Sequence, residues 1–159
     1  TNLEYFGRGP WENYSDRNSS SFVGHYKSTV SEQYVPYIRP QENGHHTDVR
    51  WMALSRKDGS GFLVTADSLI EFNVSNNPIE DFDAGPDKDK NLRHANDIKP
   101  KDLVEVHIDF HMIGVGGDDS WGARPHDEYL IKSRKESFKY GFTMVPFSSF
   151  SELNKSLKN

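Results

Sequence analysis

An antiparallel β-sandwich is the fold class this sequence predicts, on three observations. Residues 104–111 alternate strictly, with Val104, Val106, Ile108 and Phe110 on one side and Glu105, His107, Asp109 and His111 on the other. That is the period-two pattern of a half-buried strand. Similar short segments recur along the chain among Gly, Pro and Asn punctuation. No heptad, long amphipathic helix or internal repeat interrupts them, which favours stacked sheets over a helical bundle.

The elements follow in order. Residues 3–7, 22–30 and 46–54 read as strands. Lys57-Asp58-Gly59-Ser60-Gly61 reads as a hairpin turn between 46–54 and a further strand at 61–66, followed by another at 70–74. Residues 85–90 are acidic and carry Gly and Pro, hence a solvated loop, and 91–98 suit a short helical turn before Pro100. Strands are expected again at 103–112, 128–132 and 138–145. The chain reads as one domain over residues 1–147 with a motif-free tail at 148–159.

Composition narrows the function. Only 34% of the residues are hydrophobic but 13% are aromatic, which suits a sheet with a polar binding surface. The net charge is −5 and the basic residues are scattered, so nucleic acid is not an expected partner. There is no cysteine, which excludes disulfides, thiolate metal sites and cysteine nucleophiles. No apolar run approaches the length of about 18 residues needed for a transmembrane helix, so no membrane partner is expected. The chain starts without Met, directly in a strand-like segment. It reads as a piece of a longer protein, and the lack of a signal peptide leaves a cytoplasmic or periplasmic location open.

The segment 114–122, Gly-Val-Gly-Gly-Asp-Asp-Ser-Trp-Gly, carries the most specific signal. Its glycines permit positive φ and close backbone approach. Gly116, Gly117, Asp118, Asp119 and Ser120 form a loop-bracing set, the side chains able to bond local amides. Trp121 is then either a core plug or a stacking surface for a sugar or base. Asp118 and Asp119 are not expected to be a catalytic pair, because adjacent carboxylates rarely converge on one substrate atom from opposite sides. His107, Asp109 and His111 repeat at about 6.6 Å along an extended strand, too far apart for one ion without distortion. No metal site is expected there, nor with His45 and His46. Glu42 and Asn43 sit on a turn between Pro40 and Gly44, where they either meet sugar hydroxyls or cap the turn's backbone. Arg50 is a possible ion-pair partner for Glu42. Arg8, Glu12, Asn13, Asp16 and Arg17 suggest a hydrogen-bond network around Pro10, with Trp11 and Tyr14 packed beneath it.

Three segments together, 5–17 (YFGRGPWENYSDR), 34–51 (from YVPYIRPQENG to DVRW) and 114–122, resemble the C-terminal "small chain" domain (domain 5) of glycoside hydrolase family two β-galactosidases over residues 3–147. The resemblance implies a portion of a galactose-mutarotase-like supersandwich within a longer chain that hydrolyses terminal non-reducing β-D-galactosides with retention. It places both catalytic glutamates in a barrel domain, so this segment would hold no catalytic residue and be inactive alone. It implies no cofactor for this segment, with Mg and Na open for the barrel. It also implies that Trp121 reaches into the active-site mouth and stacks on the sugar, and it favours Asp109 in a structural hydrogen bond. Expected partners are the rest of the parent chain and a galactoside, with a homo-oligomer possible. A free-standing carbohydrate-binding sandwich and a purely structural interaction domain are the alternatives.

Overall fold

The computed structural model describes residues 1–83, 85, 94–119, 121–132 and 137–158. Strands β1 (Asn2–Gly9), β2 (Phe22–Thr29), β3 (His46–Ser55), β4 (Gly61–Ser75), β5 (Glu105–Asp109) and β6 (Phe142–Phe147) form one antiparallel sheet. Its order is β2-β1-β3-β4-β5, with β6 also paired to β4. The expected all-β antiparallel class is therefore what these residues form, and an open sheet of this kind is consistent with one layer of a sandwich.

The segments 61–66 and 70–74 are one strand of 15 residues rather than two. Even-numbered positions of β4 keep to the core face along its length, which is why Phe62, Val64, Ile70, Phe72 and Val74 all join one cluster. The first half of β4 pairs with β6 and the second half with β5, while β3 follows its other edge. Tyr5 lies opposite Met52, and Met52 opposite Val64, so three strands deliver their alternate side chains to the same face. Tyr5 meets Phe72 edge-on with ring centroids 5.3 Å apart. After β2, a 3-10 turn at Val30–Gln33 brings the buried Val30 onto this cluster.

The opposite face is covered by different pieces. Helix α1 (Phe150–Ser156) lays the buried Leu153 against Ala53, Leu63 and Phe147. The Ser149 hydroxyl accepts the Glu152 amide at 3.3 Å, and the Glu152 carboxylate accepts the Ser148 amide at 2.7 Å. Residues 148–159, read as a tail, thus hold a short capped helix.

Other expectations change in detail. Residues 128–132 do not form a strand; a 3-10 turn occupies Asp127–Tyr129, and the Gly114 amide bonds the Tyr129 carbonyl instead of starting a ladder. Strand β5 stops short of residue 112 because the Met112 amide is taken by the Glu71 carboxylate at 2.7 Å. The 91–98 turn is found at Ala95–Asp97, with 91–93 outside the described residues. Of the 85–90 loop, 86–90 also lie outside them. The turn at 57–61 is a tight reversal in which Gly59 donates to the Arg56 carbonyl and Arg56 to that of Ser60. No described helix is long and apolar enough to cross a membrane.

Candidate functional site

Trp121 is 93% exposed, so its indole packs on almost nothing within the chain. The loop beneath it is tightly held. Asp119 Oδ1 accepts the amides of Trp121 at 2.7 Å and Ala123 at 3.3 Å, and the Gly117 amide donates to the Ala123 carbonyl. Gly116 has φ +66 and Gly117 φ +97, and a Cβ on Gly116 would lie 2.4 Å from the Ala123 carbonyl oxygen. Only glycine fits there. Asp118 pairs with His126 at 2.5 Å, and this hydrogen bond, then its charge, raises the His126 pKa. Each carboxylate is thus engaged with its own loop partner. Ser120 lies outside the described residues.

The three signature segments converge on the root of this loop. Asn13 is fully buried. Its Oδ1 accepts the Thr47 amide at 3.0 Å and hydroxyl at 2.6 Å, while its Nδ2 donates to the carbonyls of Arg8 and Trp11. Glu12 accepts the Gly44 amide at 2.9 Å and the Tyr37 hydroxyl, tying 5–17 to 34–51. Asp16 accepts the amides of Val115 and Gly116, tying 5–17 to the tryptophan loop. Burial, then the neighbouring Glu12, drives the Tyr14 pKa well above the usual phenol range, and the ring stacks on His45 at 5.5 Å.

Two successive histidines, His45 and His46, are both fully buried, and a bulge follows them in β3 at Asp48, which has φ +54. His45 Nε2 lies 2.8 Å from Glu71 Oε2, whose other oxygen meets His111 Nδ1 at 2.9 Å. His46 stacks on Phe72 at 5.1 Å, with Nδ1 3.0 Å from the Arg8 carbonyl oxygen and Nε2 2.8 Å from Gln33 Oε1. Burial lowers its pKa to about 4, so the ring is neutral.

Glu42 and Asn43 are placed differently from each other. Asn43 is buried and spends both ends of its amide on the turn, accepting from the Val35 amide and donating to the Gln41 carbonyl. Glu42 is half-buried beside Asn73 at 3.4 Å and His107 at 3.9 Å. Gly44 follows with φ +75, and a Cβ there would meet the Gln33 carbonyl oxygen at 2.6 Å.

Two further expectations are corrected, those for Arg50 and Trp11. Arg50 does not pair with Glu42; it donates to the Asp48 carbonyl and lies over the Phe6 ring, while Asp48 pairs with Arg8. Trp11 does not pack beneath its loop; it is 72% exposed, and only Tyr14 is buried. His107 and His111 do not act as one row, since His107 bonds Glu105 and His111 bonds Glu71. Among the described residues, no group of three or more His, Asp or Glu is arranged to hold a metal ion. Sequence reasoning missed Glu71 altogether and left Asp16 inside a local network. The signal for Glu71 was present, as a charged residue between two apolar positions of a strand with an apolar face.

Comparison with known proteins matches this assembly throughout. The family described as "Beta galactosidase small chain" matches residues 1–144. A β-galactosidase of Priestia megaterium is 37% identical over 144 residues, covering 91% of this chain and 13% of the relative. One from Streptococcus thermophilus is 33% identical, over 93% of this chain and 14% of the relative. One from Pseudoalteromonas haloplanktis is 32% identical, over 91% and 12%. The chain spans about an eighth of the length of these curated relatives. With its signature segments matched and locked to one another in space, the chain belongs to the beta galactosidase small chain family.

Proposed function

We propose that the chain works as the small-chain part of a longer β-galactosidase that hydrolyses terminal non-reducing β-D-galactosides with retention. In this reading the catalytic carboxylates lie elsewhere in the parent, and the rest of the sandwich comes from its remaining length. This part presents Trp121 to the substrate and supports the interdomain structure. The observation that carries the reading is a 93% exposed tryptophan on a loop whose backbone is braced on several sides. An indole face suits the apolar C–H face of a pyranose, burying area without requiring hydrogen bonds. A core tryptophan needs no such stalk.

The test is kinetic. In the full-length enzyme, Trp121→Ala is expected to weaken sugar binding by about 1–3 kcal/mol, by analogy with aromatic stacking elsewhere, or roughly 5- to 150-fold in affinity. The melting temperature should be unchanged, because an exposed ring contributes little burial. Intact affinity with a destabilised fold would overturn the reading.

A further inference from the structure

We infer that Asp16 is a positioning residue for Trp121, anchoring the root of the tryptophan loop from the first signature segment. The inference rests on the reading of Trp121 as a sugar platform. Asp16 Oδ1 accepts the Val115 amide at 3.0 Å, and Oδ2 accepts the Gly116 amide at 2.8 Å. One carboxylate thus holds two consecutive amides that lie 99 and 100 positions away in sequence. Both bonds are charge-assisted, the stronger kind.

The approach is close by construction. A Cβ on Gly114 would lie 2.6 Å from Asp16 Oδ2 and 2.8 Å from Tyr129 Cβ. The Gly114 amide donates to the Tyr129 carbonyl at 3.0 Å, and the Met112 amide is already held by Glu71. The loop is therefore pinned at Met112, Gly114, Val115 and Gly116, just before it rises to the exposed indole. Asp16 is itself fixed. The Tyr14 and Arg17 backbones exchange two hydrogen bonds around it, and its neighbours Asn13 and Tyr14 are buried. This arrangement gives a reason for the first and third signature segments to occur together: one supplies the clamp for the other.

An aspartate is required because both partners are donors. Asparagine would turn an NH₂ toward one of the two amides and lose that bond. In the full-length enzyme, Asp16→Ala should speed hydrogen exchange at both the Val115 and Gly116 amides, and Asp16→Asn at one of them, by roughly tenfold or more, the loss of one charge-assisted bond at each freed amide. The sugar KM should rise by most of the Trp121→Ala factor. Because the carboxylate acts through the ring, kcat for a nitrophenyl galactoside should change far less than KM. The double variant Asp16→Ala/Trp121→Ala should be no worse than Trp121→Ala alone, the non-additivity expected of two residues serving one contact. Unchanged exchange at the two amides would overturn the clamp. Losses that multiply in the double variant would overturn the positioning role, as would a lowered melting temperature with KM intact. If Trp121→Ala itself leaves KM unchanged, the platform reading fails and the positioning role with it. Faster exchange in Asp16→Asn would then mark a brace of the loop and nothing more.

Discussion

His46 is the residue whose burial has the clearest consequence in solution. The ring titrates near 6.5 when exposed, and burial lowers this to about 4 in the folded chain by disfavouring its charged form. Between those values the unfolded chain binds more protons than the folded one. Stability is therefore fully present above pH 6.5 and is lost as the pH falls toward 4. At about pH 5 the loss from this one group is on the order of 2 kcal/mol. Urea unfolding at pH 7 and pH 5 should show it, and His46→Gln should flatten this part of the slope. An equal slope in the variant would remove His46 as its source. At the same scale, the distant partners of Asp16, Glu71 and Asn13 were not legible in the sequence, although Glu71 stood out as a charge between two apolar strand positions. Each bonds backbone or side chains tens of positions away, and residue spacing holds no record of such a contact. For Trp121 the local cues, glycines followed by paired aspartates, left a core plug and a stacking surface both open, and it was the resemblance carried by all three segments that implied the exposed position.

Strands were legible wherever one face is apolar and the other polar. Strand β1 falls close to its expected bounds because its alternation is set by a single buried face, and β2 and β3 match theirs although β3 is buried on both faces. The join of 61–66 to 70–74 was not visible, since Asp67 and Ser68 look like a turn. Those residues are exposed, yet the backbone stays extended. Helix α1 was missed although Ser149 and Glu152 spell a capping box; a helix of 7 residues shows too few turns for its periodicity to stand out. The helix gives its own prediction. Leu153→Ala should cost about 2–4 kcal/mol by leaving a cavity against Ala53, Leu63 and Phe147. Removing the cap with Ser149→Ala should cost about 0.5–2 kcal/mol. Denaturant midpoints check both, and a negligible Leu153→Ala effect would mean that the helix does not cover this face.

At the scale of the whole molecule, an aromatic strip is left uncovered. Phe110, Phe138, Tyr140, Phe142 and Met144 are each at least 40% exposed, and the rings of Phe110, Tyr140 and Phe142 lie about 6 Å from their neighbours. A continuous apolar surface of this kind belongs under another layer. The isolated chain should therefore bind an apolar-surface dye or self-associate, and a strict monomer without dye binding would count against a missing layer. It should also fail to turn over a nitrophenyl galactoside, since each carboxylate of the tryptophan loop is engaged within that loop. A structure of the full-length enzyme with a galactoside bound tests the proposed Trp121 platform outright. The Trp121 indole should lie within about 4 Å of the sugar's C–H face, contact distance for apolar atoms, with Asp16 still on the Val115 and Gly116 amides. An indole buried in the core or turned away from the bound sugar would contradict it.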